Sequence, residues 1–185
     1  MNPRAALLAL TLVAVPTHGN GESANGASLH RGPRLDPIGD APARAGDLDA
    51  LFQKHGAVQD VDWRLLKAIA QVESHLNPRA VNRRDPSIGL MGVLCRPAGE
   101  TCGNRLDVAG WPPARREQLF DPDFNIAIGA QVLGWNLRTY GFARGIAVYN
   151  QWRARLTPRE RPFPNQFYVD QVLARYRALQ AEAAR

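Results

Sequence analysis

The chain has very little lysine. Of 23 basic residues only Lys54 and Lys67 are lysines; arginine supplies the rest. Those arginines are scattered, neither stacked on one helical face nor interleaved with aromatics, which argues against a nucleic-acid binder. Cysteine is equally scarce. The two cysteines and four histidines stand in no zinc-type spacing. Long apolar runs are missing too. The one continuous run lies at the N-terminus and is too short to span a bilayer. No apolar–polar alternation extends beyond a few residues and no internal repeat is present, so the fold class is mainly α. Hydrophobic residues at 45% with 22% charged are ordinary for a globular protein and exclude coiled coil and wholesale disorder.

At roughly 150 residues per domain, the 185 residues make one domain plus some extra chain. Residues 1–19 read as a secretory signal peptide. Arg4 carries the leading charge, Ala5 to Val15 form the apolar stretch and Pro16 breaks it. Thr17 and Gly19 are small residues at the −3 and −1 positions of a cut after Gly19. The expected location is therefore exported, periplasmic or secreted. The formal charge of +6 becomes 22 − 17 = +5 without this segment, which holds one arginine and no acid. Outside the cytoplasm a modest positive charge favours anionic polymers and cell envelopes. Residues 20–46 are rich in Gly, Ala, Asn, Pro and Arg with no apolar period, as in a flexible leader. The folded domain is expected over 47–185.

Helix signals punctuate that domain. Asp47 is a good N-cap, followed by Leu48, Leu51, Phe52 and His55 at helical spacing, with Gly56 as a stop. A second helix follows Asp62, with Leu65, Ile69, Val72 and Leu76 as its core stripe and Pro78 as its end. The stretch 77–118 reads as loop. Asp121 as cap, Pro122 at the first helical position and Asp123 near the positive helix end open a third helix, running to Tyr140 with Gly141 as stop. Its apolar residues go all round, as in a central buried helix. Gly129, Ala130 and Gly134 would admit close neighbours, and Trp135 is expected in the core. A short helix spans 143–150, a loop 151–164, and a last helix begins near Asn165 with Val169, Val172, Leu173, Tyr176 and Leu179 on one face.

Glu73 stands out. At about 100° per residue it falls at the edge of the second helix's apolar stripe rather than opposite to it. A carboxyl there is partly desolvated, which raises its pKa and suits a general acid near neutral pH. The alternative is a glutamate that snorkels or pairs with an arginine such as Arg79.

The order of motifs around Glu73 resembles the soluble lytic transglycosylases, lysozyme-like domains that cut peptidoglycan. Glu73-Ser74 is followed by Ser87-Ile88-Gly89-Leu90-Met91-Gly92, then the capped apolar helix, then Ala147-Val148-Tyr149-Asn150, then Tyr168-Val169 opening a terminal helix. The family pattern is Glu-Ser, Gly-Leu-Met-Gln, Ala-Tyr-Asn, and an aromatic-Val near the start of a helix. The resemblance covers about residues 58–180. It implies a single lysozyme-like helical domain with a loop-rich substrate cleft. It implies Glu73 as catalytic acid and then base, and Ser74 bonding near it and helping to hold substrate. Gly89, Leu90 and Met91 would wall the cleft, Tyr149 would orient the Glu73 carboxyl, and Asn150 would contact substrate or fix the loop. Three departures concern the subsites: Gly92 stands where the family has Gln, Val148 replaces the alanine before Tyr149-Asn150, and the loop after Gly92 carries two cysteines that the simplest family members lack.

The implied chemistry needs one carboxylate, no metal and no cofactor, because the substrate's own C6 hydroxyl closes a 1,6-anhydro ring. The implied partner is the peptidoglycan glycan strand, with an envelope-spanning secretion or conjugation machine as a further expectation. A hydrolytic muramidase on the same fold would use Asp85 or Asp62 as base. A degenerate peptidoglycan-binding module is the reading from another class. Cys95 and Cys102, seven apart, are expected to form a disulfide in an exported protein. Trp63, Trp111, Trp135 and Trp152 could stack on sugars; Trp111 and Trp152, in polar loops, are the better candidates. His75 follows Ser74 on one helix but points about 100° away, so no serine-hydrolase triad forms there.

Overall fold

The computed structural model describes residues 45–82, 84–95, 97–98, 101–102, 114–151 and 162–185. The expected signal peptide, nearly all of the leader, and Trp111 and Trp152 lie outside the described residues. The chain order is α1 (Ala45–Gln59), α2 (Trp63–Glu73), two small antiparallel hairpins, a 3-10 turn (Arg116–Phe120), α3 (Pro122–Tyr140), α4 (Phe142–Asn150) and α5 (Gln166–Ala183). In the first hairpin β1 (Ser87–Ile88) pairs with β2 (Val93–Leu94), Ser87 opposite Leu94 and Ile88 opposite Val93. In the second β3 (Pro97–Ala98) pairs with β4 (Thr101–Cys102). The fold is mainly α, as the patterning predicts; the stretch expected as plain loop contains these hairpins.

The caps act as their chemistry dictates. Asp62 accepts the Arg64 backbone N–H at 2.9 Å and starts α2. Asp121 accepts that of Phe124 at 2.8 Å and starts α3, with Pro122 in the first turn. Two expectations fail locally. Gly56 does not stop α1; the helix continues to Gln59 and turns at Asp60, whose φ is 54°. Gly56 instead lets α1 press on the start of α2: a Cβ there would lie 2.6 Å from the Val61 carbonyl oxygen. Asp47 sits within the first turn of α1 rather than capping it, and Ala45 and Gly46 belong to the helix.

One hydrophobic core joins the elements. Phe52 from α1, Leu65, Leu66 and Ile69 from α2, Ile126, Ile128 and Leu133 from α3, and Ile146 from α4 are sealed from solvent. Each such side chain contributes on the order of 1.5–3 kcal/mol. Helix α2 packs between α1 and α5, and α3 between α1 and α4. Both of the chain's lysines brace these contacts. Lys67 reaches Asp49 at 2.7 Å, tying α2 to α1. Lys54 reaches Asp123 at 2.8 Å and His55 reaches it at 2.7 Å, tying α1 to α3. Burial alone would raise the Asp123 carboxyl; the hydrogen bonds and charges of Lys54 and His55 overcome it and hold the group below the usual carboxylate range. Trp135 is not in the core: it is 42% exposed, edge-on to Tyr140 at 5.7 Å.

Candidate active site

Glu73 is the last residue of α2. The chain turns sharply after it. Ser74 closes the helix with its N–H on the Ala70 carbonyl at 3.0 Å, and His75 and Leu76 then adopt left-handed backbone (φ 55° and 61°). Such a conformation is rare for a leucine and is held by its surroundings. The helix thus ends here, well before Pro78. The carboxyl sits over the negative end of the α2 dipole, where ionisation is disfavoured.

The carboxyl is enclosed from three sides. From the first turn of α5, the Tyr168 hydroxyl donates to Glu73 Oε1 at 2.7 Å. From the β1–β2 turn, Gly92 brings bare backbone against the other oxygen: a Cβ on Gly92 would stand 2.7 Å from Glu73 Oε2. From α4, Tyr149 lies near enough for the Glu73 charge to act on it. Burial pushes the Glu73 carboxyl up from 4.5 to about 7. The Tyr168 hydrogen bond pulls it back down and the negative charge of Asp85 adds to the rise. Burial first, and then the Glu73 charge, hold both tyrosine hydroxyls well above their ordinary range, so both remain donors.

The expected orienting role of Tyr149 is therefore supplied by Tyr168. Tyr149 donates instead to the Met91 carbonyl at 2.7 Å. The four-residue turn Gly89–Gly92 is pinned throughout. The Gly89 N–H bonds the Ala80 carbonyl at 2.9 Å. Ser74 Oγ lies 2.9 Å from both the Leu90 and the Ala70 carbonyls. Asn125, buried on α3, accepts the Met91 N–H at 2.7 Å and donates to the Ile88 and Leu119 carbonyls at 3.0 and 2.8 Å. Gly129 leaves the space that Met91 fills; a Cβ there would lie 2.6 Å from that of Met91.

Several sequence-assigned roles change on this geometry. Leu90 and Met91 are fully buried, so their side chains back the turn rather than face a sugar. Ser74 is buried too and braces the turn against α2 instead of holding substrate. Asn150 is exposed at the end of α4, and its Oδ1 accepts from Asn165 Nδ2 at 3.0 Å. Asn165 also donates to the Ala147 carbonyl at 2.9 Å, joining the end of α4 to the start of α5 and so Tyr149 to Tyr168. Sequence reasoning missed Asn125; its signal is one amide between Phe124 and Ile126 on an otherwise apolar turn. Asp62 is occupied at the far end of α2, about 16 Å away along the helix, bonded to the Tyr176 hydroxyl at 2.9 Å. Asp85, exposed, is the acid whose charge reaches Glu73. Cys95 is buried and disulfide-bonded; the Cys102 side chain lies outside the described residues.

A family model described as the transglycosylase SLT domain matches residues 50–161. Membrane-bound lytic murein transglycosylase C from Yersinia pestis (strain Pestoides F) is 39% identical over 90 residues, covering 49% of this chain and 24% of that protein. Its counterpart from Yersinia pseudotuberculosis (serotype O:1b, strain IP 31758) matches to the same extent. The chain thus spans about a quarter of the length of these relatives. Among solved structures, an inactive glutamate-to-glutamine mutant of lytic transglycosylase Slt from Pseudomonas aeruginosa superposes with a TM-score of 0.61 at 20% identity, covering 73% of this chain and 24% of the other. The 70 kDa soluble lytic transglycosylase from Escherichia coli gives 0.56 at 23% identity, covering 71% and 24%. These likenesses show the fold, and the family match makes the chain a member of the transglycosylase SLT domain family.

Proposed function

We propose, taking membership of the SLT family as the premise, that this domain is a lytic transglycosylase. It cleaves the β-1,4 bond between N-acetylmuramic acid and N-acetylglucosamine of peptidoglycan without using water. The observation that carries the reading is the Glu73 carboxyl, raised to about 7 by burial and held by Tyr168. Such a group is a proton donor and, once ionised, a base at one pH. Protonated Glu73 gives its proton to the glycosidic oxygen as the bond to the muramic C1 breaks. The muramic N-acetyl group stabilises the cationic C1. Ionised Glu73 then takes the proton of the C6 hydroxyl, whose oxygen bonds C1 and closes the 1,6-anhydro ring. Glu73 ends protonated as it began, and the two products together have the composition of the substrate.

A hydrolytic reading needs a second carboxylate to activate water. Among the described residues Asp62 is too far away and Asp85 is the candidate, favoured by the reach of its charge to Glu73. We further propose an exported protein in which Cys95 and Cys102, the chain's two cysteines, form the disulfide, worth about 2–3 kcal/mol for so short a loop. Besides peptidoglycan, the proposed partner is an envelope-spanning secretion or conjugation machine, on the sequence resemblance to transglycosylases of such systems. Envelope localisation unchanged by deleting the machine would overturn that.

The test is mass spectrometry of soluble products from purified sacculi treated with the protein or with Glu73→Gln. Anhydromuramic ends, absent with the variant, are expected. Products one water heavier would make the enzyme a hydrolase. Binding to sacculi with no products would leave a peptidoglycan-binding module.

A further inference from the structure

Gly92 departs from the family pattern and has no role in the reaction as described so far. Its backbone is left-handed, φ 58°, a conformation open to glycine and strained for other residues. The volume its Cβ would fill is already taken by Glu73: Oε2 lies 2.7 Å from the ideal Cβ position, Cδ 3.1 Å and Cβ 3.2 Å. The turn is held against retreat because Ala80 bonds Gly89, Ser74 bonds Leu90, and Asn125 and Tyr149 both bond Met91, the residue beside Gly92. A side chain at 92 must therefore move the carboxyl. Oε1 already accepts the hydrogen bond of the Tyr168 hydroxyl, which leaves Oε2, the oxygen facing Gly92, to carry the proton of the neutral acid.

We infer that Gly92 is a positioning residue: its missing side chain forms the seat in which the proton-bearing oxygen of Glu73 rests. The inference rests on Glu73 being the acid, as proposed above. Among the described residues, the charged and titratable groups that act at that seat are Tyr168 from α5, Tyr149 from α4 and Asp85 from the loop before β1. A methyl at 92 drives the carboxyl off this seat and so out of part of its burial. Since burial is the main cause of its raised pKa, the displaced acid ionises at lower pH and no longer meets the glycosidic oxygen squarely.

Gly92→Ala tests this, with Gly141→Ala as control. Gly141 has a φ of 78° and nothing within 4 Å of its Cβ position, so the control carries the backbone strain without the collision. Glu73 is followed in the absence of substrate by 13C NMR of its carboxyl carbon. We expect its titration midpoint to fall from about 7 in Gly92→Ala and to stay put in Gly141→Ala. Cleavage of sacculi is expected to drop about a hundredfold in Gly92→Ala, the scale of a small misplacement of a reacting group, with the alkaline limb of its pH profile moved to lower pH. If Gly92→Ala folds poorly, a double-mutant cycle in urea replaces the titration. Gly92→Ala must then destabilise far less in a Glu73→Ala background, where the colliding carboxyl is gone. An unmoved midpoint in a folded Gly92→Ala, or a cycle with no coupling between positions 73 and 92, overturns the inference. Both readouts need no cleavage, so they stand apart from failure of the transglycosylase reading, which would show as no products from the parent protein.

Discussion

Replacing Glu73 by Gln should make the protein more stable, and by an amount set by pH. The folded protein holds the Glu73 proton to about pH 7, whereas the same carboxyl ordinarily loses it near 4.5. Below that lower value both folded and unfolded chains are protonated, and the group leaves the balance unchanged. Between the two values the folded state alone keeps the proton, so stability falls as pH rises. Above the upper value the loss is complete. That interval, at about 1.4 kcal/mol per pH unit, amounts to about 3 kcal/mol, a sizeable part of the stability of an ordinary domain. Glutamine has nearly the same shape and does not titrate. Urea unfolding of parent and Glu73→Gln, followed by circular dichroism from pH 4 to pH 8.5, gives the difference at each pH. Other groups, Asp123 among them, titrate in both proteins and cancel. The stability of Glu73→Gln relative to the parent should climb by about 3 kcal/mol from the acid to the alkaline end. A flat difference, or one that declines with rising pH, would refute the placement of a neutral carboxyl in this site.

Tyr168→Phe removes the hydrogen bond that pulls the Glu73 pKa down, so the alkaline limb of the cleavage profile should move up by about one to two pH units, the scale of one hydrogen bond to a charged group. An unmoved limb would mean that the bond does not form in solution. Asp85→Asn removes a charge that raises the Glu73 pKa; the same limb should move down, and less so at high salt because Asp85 is exposed. Asn125→Ala strands the Met91 N–H and the Ile88 and Leu119 carbonyls, and should cost about 3 kcal/mol or more in urea unfolding. A variant as stable as the parent would show that the amide is dispensable to the turn.

How legible the molecule was depends on how local its causes are. The caps at Asp62 and Asp121 could be read directly, because a carboxylate two or three residues before a free N–H acts within its own turn. Glu73 was legible as an acid at the margin of an apolar stripe. Its partner was not: Tyr168 lies 95 positions away, and only the packing of α2 on α5 decides that this phenol, rather than Tyr149, meets the carboxyl. The motif suggests substrate roles for Ser74 and Met91 because it states residue types and not which way they point; the structure turns both inward. Gly56 reads as a stop, since the sequence cannot separate a glycine that ends a helix from one that lets another chain segment approach. Trp135 was assigned to the core because α3 is apolar all round, yet the elements packed on α3 leave that sector open. The hairpins escaped notice because strands of two residues show no period.

The pinned turn between β1 and β2 also decides how the site moves. Its Met91 N–H is held by Asn125 on α3, its Met91 carbonyl by Tyr149 on α4 and its Leu90 carbonyl by Ser74 at the end of α2, so the turn does not swing away while these helices stay intact. The geometry around Glu73 has the lifetime of the native state. Native-state hydrogen exchange at Met91 N–H, buried against Asn125, should therefore proceed through global unfolding and slow in step with added stability. Temperature or denaturant would extinguish activity in one transition with the fold, leaving no interval in which the helices persist around a loosened acid.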